Sequence, residues 1–177
     1  MRILKQVEFS NRDDLLLHKN KHEATVTFYG IYQKAHPGWK RWNEILKILQ
    51  EEGGNLKRAS YRLATMQEII DDVYYFYNHY FWNKMSLGLI EDKEIAAKLF
   101  LFGVNVGTKT AARLAQGLVG TTQDGILGKI TAKAINEFRD FKIAYEIKQK
   151  YHYEAIVAKD PSKEIYLSGW LNRIKAV

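Results

Sequence analysis

Between Met66 and Trp82, apolar side chains fall at Ile69, Ile70, Val73, Tyr74, Phe76, Tyr77, Tyr80 and Phe81. On a helix they cover most of the circumference. A helix apolar on most sides has to be surrounded by other elements, so this stretch commits the chain to a multi-helix architecture and reads as its central buried helix. Thr65-Met66-Gln67-Glu68 has the form of a capping box, in which Thr65 bonds the third amide and Glu68 reaches back. The rest of the sequence agrees. Only Pro37 and Pro161 interrupt it, alternation of Val, Ile and Thr is rare, and apolar spacings of three and four dominate. The fold class is all-α.

The other helices follow from their punctuation. Residues 2–9 read as a short helix with Glu8 at its end, and a second covers about Thr25 to Ala35, where His36-Pro37-Gly38 stops it. Trp39 to Gln50 is amphipathic through Trp39, Trp42, Ile45, Leu46 and Leu49. Gly53-Gly54 ends that helix, and Asn55 is placed to cap Leu56 to Leu63. Acidic Glu91-Asp92 suits the start of a helix reaching about Asn105. Helices over Thr108–Leu118, Thr131–Phe138 and Phe141–Val157 come next. After Asp160-Pro161-Ser162, a last one runs from Lys163 to Lys175.

The interval from Glu8 to Ile31 has no clean period. It carries Glu8, Asp13, Asp14, His18, His22 and Glu23 in a polar excursion between two apolar ends. Long excursions of this kind inside a domain are usually functional. Glu8 sits between Val7 and Phe9, a setting that would raise a carboxyl pKa toward that of a general acid. His18 and His22 are four apart beside Glu23. That spacing admits a metal site, but no firm third ligand accompanies it, so His18 is read as ordering the loop or meeting a ligand, with no metal.

The bulk properties narrow the class. The chain has 177 residues, 46% of them hydrophobic, which suits a buried core rather than disorder. Aromatic content is 13%, with eleven Tyr, compatible with both a core and a sugar-lined cleft. There is no Cys, which excludes disulfides and thiolate metal sites. A net charge of +7 favours polyanions, whether nucleic acid, anionic membrane or acidic cell wall. The apolar run within Met1 to Gln6 is too short to read as a signal peptide, and no run of about 18 apolar residues occurs in the sequence. The expectation is therefore synthesis in the cytoplasm and no stable membrane insertion.

Four segments, in order, carry a resemblance. Glu8-Phe9-Ser10 and Thr27-Phe28-Tyr29-Gly30-Ile31 stand where E-G-G-Y and T-x-x-G-I are expected, with Glu23 near the Asp of an intervening D-x-G-G. Tyr80-Phe81-Trp82 precedes a segment keeping Phe100, Val104, Asn105 and Gly107 of F-D-x-x-V-N-x-G, with Leu101 in place of the acidic residue. Gln116 and Asp124-Gly125-Ile126-Leu127-Gly128-Lys129-Ile130-Thr131 match L-Q and D-G-x-x-G-x-x-T. Gly169-Trp170-Leu171-Asn172-Arg173 matches G-W-x-x-R. Together they resemble glycoside hydrolase family 108, the bacterial and phage N-acetylmuramidases, with the predicted peptidoglycan-binding module that accompanies them. Both N-terminal glycine pairs are absent and the spacer is longer.

The resemblance implies a compact lysozyme-like helical domain with a helical C-terminal lobe: a muramidase region at 1–90 and a peptidoglycan-binding-like region at 91–177. It implies cleavage of the β-1,4 bond between N-acetylmuramic acid and N-acetylglucosamine, with Glu8 as general acid. For the second group it points to Glu23, ahead of Asp13 and Asp14, with Thr27 positioning a water. Substrate contacts would come from His18, Tyr29, Tyr32, Tyr80, Trp82 and Asn105, although the aromatics also suit a core and Asn105 also suits a helix end. Thr131 reads as a helix N-cap and Asp124-Gly125 as a tight turn.

No cofactor is implied. The partner is the glycan strand of peptidoglycan rather than nucleic acid, and the protein is expected to be a monomer acting at the periplasmic wall. An endolysin released by a holin and a secretion-associated muramidase fit equally. The rival reading is an inactive helical module that binds peptidoglycan or nucleic acid.

Overall fold

The computed structural model describes residues 12–21 and 23–176. The described residues are mostly helical, with a small three-stranded sheet. The chain divides into two compact units, the first ending at Tyr77 and the second beginning at Asn78. Among the described residues no helix is long and apolar enough to cross a membrane. The expected helix at 2–9, and Glu8 with it, lies outside the described residues.

In the first unit a 3-10 turn, Asp13–Leu15, leads into β1 (Leu17–His18), β2 (Thr27–Phe28) and β3 (Ile31–Tyr32). The strands are antiparallel in the order β1-β2-β3. This replaces the helix expected over Thr25 to Ala35. Tyr29 and Gly30 both have positive φ, 51° and 80°, and two such residues in a row make the tight turn of a hairpin and cannot continue a helix. Gly30 has a further reason to lack a side chain. The Tyr77 hydroxyl donates to the Tyr29 carbonyl across 2.8 Å, and a Cβ on Gly30 would lie 2.5 Å from that hydroxyl oxygen.

Three helices follow the sheet, α1 (Trp42–Glu51), α2 (Leu56–Ala64) and α3 (Gln67–Tyr77), and α2 packs against β1 and against both other helices. Trp42, Ile45 and Ile48 form the buried stripe of α1. Trp39 belongs to the turn before the helix and stacks on Phe28 at 6.4 Å between ring centroids. Asn55 caps α2 by accepting from the Arg58 amide. Buried Ser60 of α2 accepts from the Leu17 amide at 2.9 Å and donates to the Leu17 carbonyl at 3.1 Å. One hydroxyl thereby satisfies both polar groups of an edge-strand residue that would otherwise be buried without partners.

Two expectations for 65–82 are corrected. Thr65 does not open a capping box. Its hydroxyl donates back to the Arg62 carbonyl at 2.8 Å, at the C-terminal end of α2. Glu68 reaches instead toward Arg41, which is held by Asp72 and Glu44. The helix ends at Tyr77, and Asn78–Asn83 form a π-helical turn. Nor is α3 buried all round. It buries Ile69, Ile70, Val73, Phe76 and Tyr77, whereas Tyr74 and Tyr75 are exposed. Tyrosine tolerates this because its hydroxyl stays wet while its ring covers apolar neighbours.

In the second unit the most buried helix is α4 (Lys93–Val106), capped by Asp92, whose carboxylate accepts from the Glu94 and Ile95 amides. Every residue from Lys98 to Gly103 is buried. Around it lie α5 (Thr108–Val119), α6 (Lys129–Glu137), α7 (Phe141–Lys159) and α8 (Glu164–Ile174). Met85 packs over Gly103, where a Cβ would meet its sulfur at 2.6 Å. The buried Tyr145 of α7 donates to the Ala111 carbonyl of α5 at 2.9 Å. Trp170 of α8 stacks on Tyr153 of α7 at 4.9 Å. Lys98 is buried, and its ammonium donates to the Ile174 carbonyl at 2.6 Å and pairs with Glu146 at 2.7 Å. The end of α8 is therefore fastened to α4 and α7.

Candidate active site

The sheet of the first unit sorts its residues by face. Register pairs Thr27 with both His18 and Tyr32, and Phe28 with both Leu17 and Ile31. Paired residues project to the same side and successive residues to opposite sides. Leu17, Phe28 and Ile31 are buried in the core. The opposite face carries the row His18, Thr27, Tyr32, with His18 and Tyr32 half-exposed at its ends.

Glu23 belongs to the loop that joins β1 to β2. The loop turns between Asn20 and Glu23, whose amide donates to the Asn20 carbonyl at 3.0 Å. The Glu23 carboxylate accepts from the Asn20 side chain at 2.8 Å, the Asn20 amide at 3.3 Å and the Thr27 hydroxyl at 3.2 Å. Partial burial works against its charge. The bonds from Asn20 and Thr27, with nearby His18, outweigh that and hold the Glu23 carboxyl below its ordinary value. It is ionised at neutral pH. Such a group can accept a proton from water or face a developing cation, but it cannot serve as a general acid there.

The remaining residues of this unit occupy different settings. His18 places Nδ1 3.1 Å from the Leu15 carbonyl. A carbonyl only accepts, so in this bond Nδ1 carries the proton. Tyr29 is 2% exposed, and burial, then Tyr74 and Asp13, push its phenol up to about 12. Its ring is part of the core and offers no face to a sugar. Asp14 pairs with Arg12 at 2.7 Å and lies 3.7 Å from Lys57. Among the described residues no three His, Cys, Asp or Glu converge to hold a metal ion. His22, like Glu8, lies outside them. Sequence reasoning missed Asn20. The available signal was its position three residues before Glu23, the spacing of a one-turn side-chain bond.

Tyr80, Trp82 and Asn105 belong to the second unit. Tyr80 is 48% exposed on the π-helical turn, and Trp82 is half-buried beside Phe100 at 6.0 Å. Asn105 donates to the Leu101 carbonyl of its own helix at 3.0 Å, and it lines a small cavity with Lys98, Gln149 and Tyr153.

The segment Gln116 to Thr131 is a built loop. Gln116 is buried. Its amide nitrogen donates to Asp124 at 2.7 Å and to the Ile126 carbonyl at 3.0 Å, and its carbonyl accepts from the Gly125 amide at 2.9 Å. Bonds from Gln116 and the Ile126 amide hold the Asp124 carboxyl below its usual value. Asp124-Gly125 does form the expected turn, with Gly125 at φ 82°. Thr131 is not an N-cap. That place falls to Gly128, and Thr131 lies buried in α6 with its oxygen 3.3 Å from the Thr121 hydroxyl.

Comparison with known proteins decides the lineage. The model of the family Glycosyl hydrolase 108 matches residues 16–107, just over half of the 177 residues. The chain belongs to glycosyl hydrolase family 108. A second model, Predicted Peptidoglycan domain, matches residues 109–175. The solved structure of Brucella abortus SagA superposes with a TM-score of 0.61 at 17% identity, over 98% of this chain and 90% of that one. That likeness establishes the fold. A search of curated proteins found no match.

Family 108 membership places the chain among glycosyl hydrolases, and the second match gives it a predicted peptidoglycan domain beside that stretch. The family border falls at Gly107-Thr108, between α4 and α5. The packing does not divide there. Phe102 of α4 meets Tyr145 and Tyr153 of α7 edge to face at 5.8 and 5.7 Å. The helix that closes the family 108 stretch thus supplies the core beneath the peptidoglycan domain.

Proposed function

We propose that the protein is an N-acetylmuramidase. It hydrolyses the β-1,4 bond from N-acetylmuramic acid to N-acetylglucosamine, with Glu8 as general acid and Glu23 as the second carboxylate. The observation that supports this reading is the triple hydrogen bonding of Glu23 beside the row His18, Thr27, Tyr32. Glycosidases need two carboxyl groups in opposite protonation states. Glu23 has the surroundings of the ionised one.

In this scheme Glu8 protonates the glycosidic oxygen as the bond breaks. Positive charge then develops at the anomeric carbon, and the Glu23 carboxylate stabilises it or takes a proton from the attacking water. Thr27 donates to Glu23 and can accept from that water, fixing its approach. His18 and Tyr32 flank the pair and present ring edges and polar atoms to sugar hydroxyls. Tyr80, Trp82 and Asn105 remain candidates for sugar contacts.

The test compares wild type, Glu8→Gln and Glu23→Gln on purified sacculi. Each substitution is expected to lower the release of reducing ends by about 10²-fold or more, the usual contribution of a positioned acid or base. Full activity in Glu23→Gln would remove it from the chemistry. Inactive wild type that still pellets with sacculi would favour the binding-module reading.

A further inference from the structure

Within the second unit an open groove of about 370 Å³ runs between α5 and α7, inside the ~300–1,000 Å³ usual for ligand sites. Arg113 and Gly117, four apart on α5, line it with Lys148, Tyr151 and His152 of α7 and Gln123 of the loop after α5. We infer that this groove binds the peptide stem of peptidoglycan through a stem carboxylate held by Arg113 and Lys148, with Tyr151 as the apolar platform beside it.

Charge is the first support. The lining includes two cations and no carboxylate. Among the described residues neither cation forms a salt bridge. Asp124, next to Gln123, feels the charge of Arg113 without pairing with it, its carboxylate accepting instead from Gln116 and the Ile126 amide, and Glu146, two residues before Lys148, pairs with Lys98. An arginine fork matches a carboxylate in two parallel bonds, and a lysine adds a point charge. A stem peptide supplies what this site lacks: free carboxylates on a short chain bearing methyl groups. Tyr151 is 62% exposed, a large ring with an apolar face for such methyls or for the adjoining sugar.

Rigidity is the second support. Gln116 fixes the loop 124–126, and the loop rests against the site. A Cβ on Gly125 would lie 3.3 Å from the Lys109 carbonyl and 3.4 Å from Nε of Arg113. A Cβ on Gly117 would lie 3.1 Å from the Gln123 amide nitrogen. His152 packs its ring edge-on to Phe102 at 5.7 Å. The loop side of the groove and His152 are therefore held in place before a ligand arrives, which lowers the entropic cost of binding there. Nucleic acid is a poorer occupant, because a phosphate backbone calls for cations spread along its track, and here two are gathered in one hollow.

The inference rests on the peptidoglycan reading above but not on its chemistry. Two soluble probes would be titrated into the full chain by calorimetry. One is N-acetylglucosaminyl-N-acetylmuramic acid bearing a tetrapeptide stem, and the other is the same disaccharide without peptide. Neither contains the bond proposed for cleavage. Wild type should bind the stem-bearing probe about tenfold or more tightly, the scale of one charge-assisted hydrogen bond. The double variant Arg113→Gln/Lys148→Gln should lose that preference, and Tyr151→Ala should weaken it. Thermal melts of both variants should match wild type. Equal affinity for the two probes, a variant that keeps the preference, or tighter binding of duplex DNA than of the stem probe would each overturn the inference. A wild type that keeps the preference but releases no reducing ends from sacculi would sink the hydrolase proposal and leave the groove standing.

Discussion

Thr27 donates a hydrogen bond from its hydroxyl to Oε2 of Glu23 across 3.2 Å. The donor is the first residue of the central strand, and the acceptor lies in the loop that delivers that strand. Thr27→Val keeps the shape and removes the donor. The carboxyl then loses one of the bonds that favour its charge, so the acid limb of the pH–rate profile should move to higher pH. The rate at neutral pH should fall by about tenfold. Thr27→Ser should retain both, and a Val variant with a wild-type profile would show that the bond is only structural.

The same carboxylate links stability to pH. The folded-state pKa of Glu23 lies below its ordinary 4.5, so between the two values the unfolded chain binds more protons and stability rises with pH. The contribution is complete above 4.5 and is lost as pH falls through the folded value. Glu23→Gln should make the melting temperature less dependent on pH below 4.5 than in wild type. Parallel melting curves over that range would contradict this.

Gly30 and Tyr77 test the hairpin. Gly30→Ala adds a Cβ 2.5 Å from the Tyr77 hydroxyl oxygen at a φ of 80°. The left-handed backbone and the displaced hydroxyl together should cost about 2–4 kcal/mol. Tyr77→Phe removes only the bond to the Tyr29 carbonyl and should cost about 1–2 kcal/mol. Urea unfolding of both variants checks the order.

Gln116 makes three hydrogen bonds to the 124–126 loop. Gln116→Leu leaves the Gly125 amide and the Ile126 carbonyl without their partner. A loss of about 1–3 kcal/mol follows, with faster hydrogen exchange at the Gly125 amide. Unchanged exchange would mean the loop is held by other means.

Much of the fold was legible because helices announce themselves locally. The stop at Gly53-Gly54, the Asn55 cap and the helix opening after Asp92 all follow from side chains reaching their own turn. The sheet was not legible. Its strands are two residues long, too short for alternation to register, and Thr27 to Tyr32 reads as apolar at helical spacing. The turn Tyr29-Gly30 lacks the Asn-Gly or Asp-Gly signature of its type. What holds it is Tyr77, 48 residues away from Tyr29. Tertiary partners also redirected Thr65 toward Arg62 and Glu68 toward Arg41. In the candidate site, Glu23, Thr27, His18 and Tyr32 were nameable as chemistry. Their common row, and the core position of Tyr29, required the register.

The most direct measurement is the identity of the new reducing ends. Purified sacculi would be digested with wild type, reduced with borohydride and hydrolysed to their amino sugars. A muramidase leaves N-acetylmuramic acid at the reducing end, so the reduced product should be muramitol, with none above background in Glu8→Gln. Glucosaminitol in its place would show cleavage of the other glycosidic bond and contradict the muramidase reading.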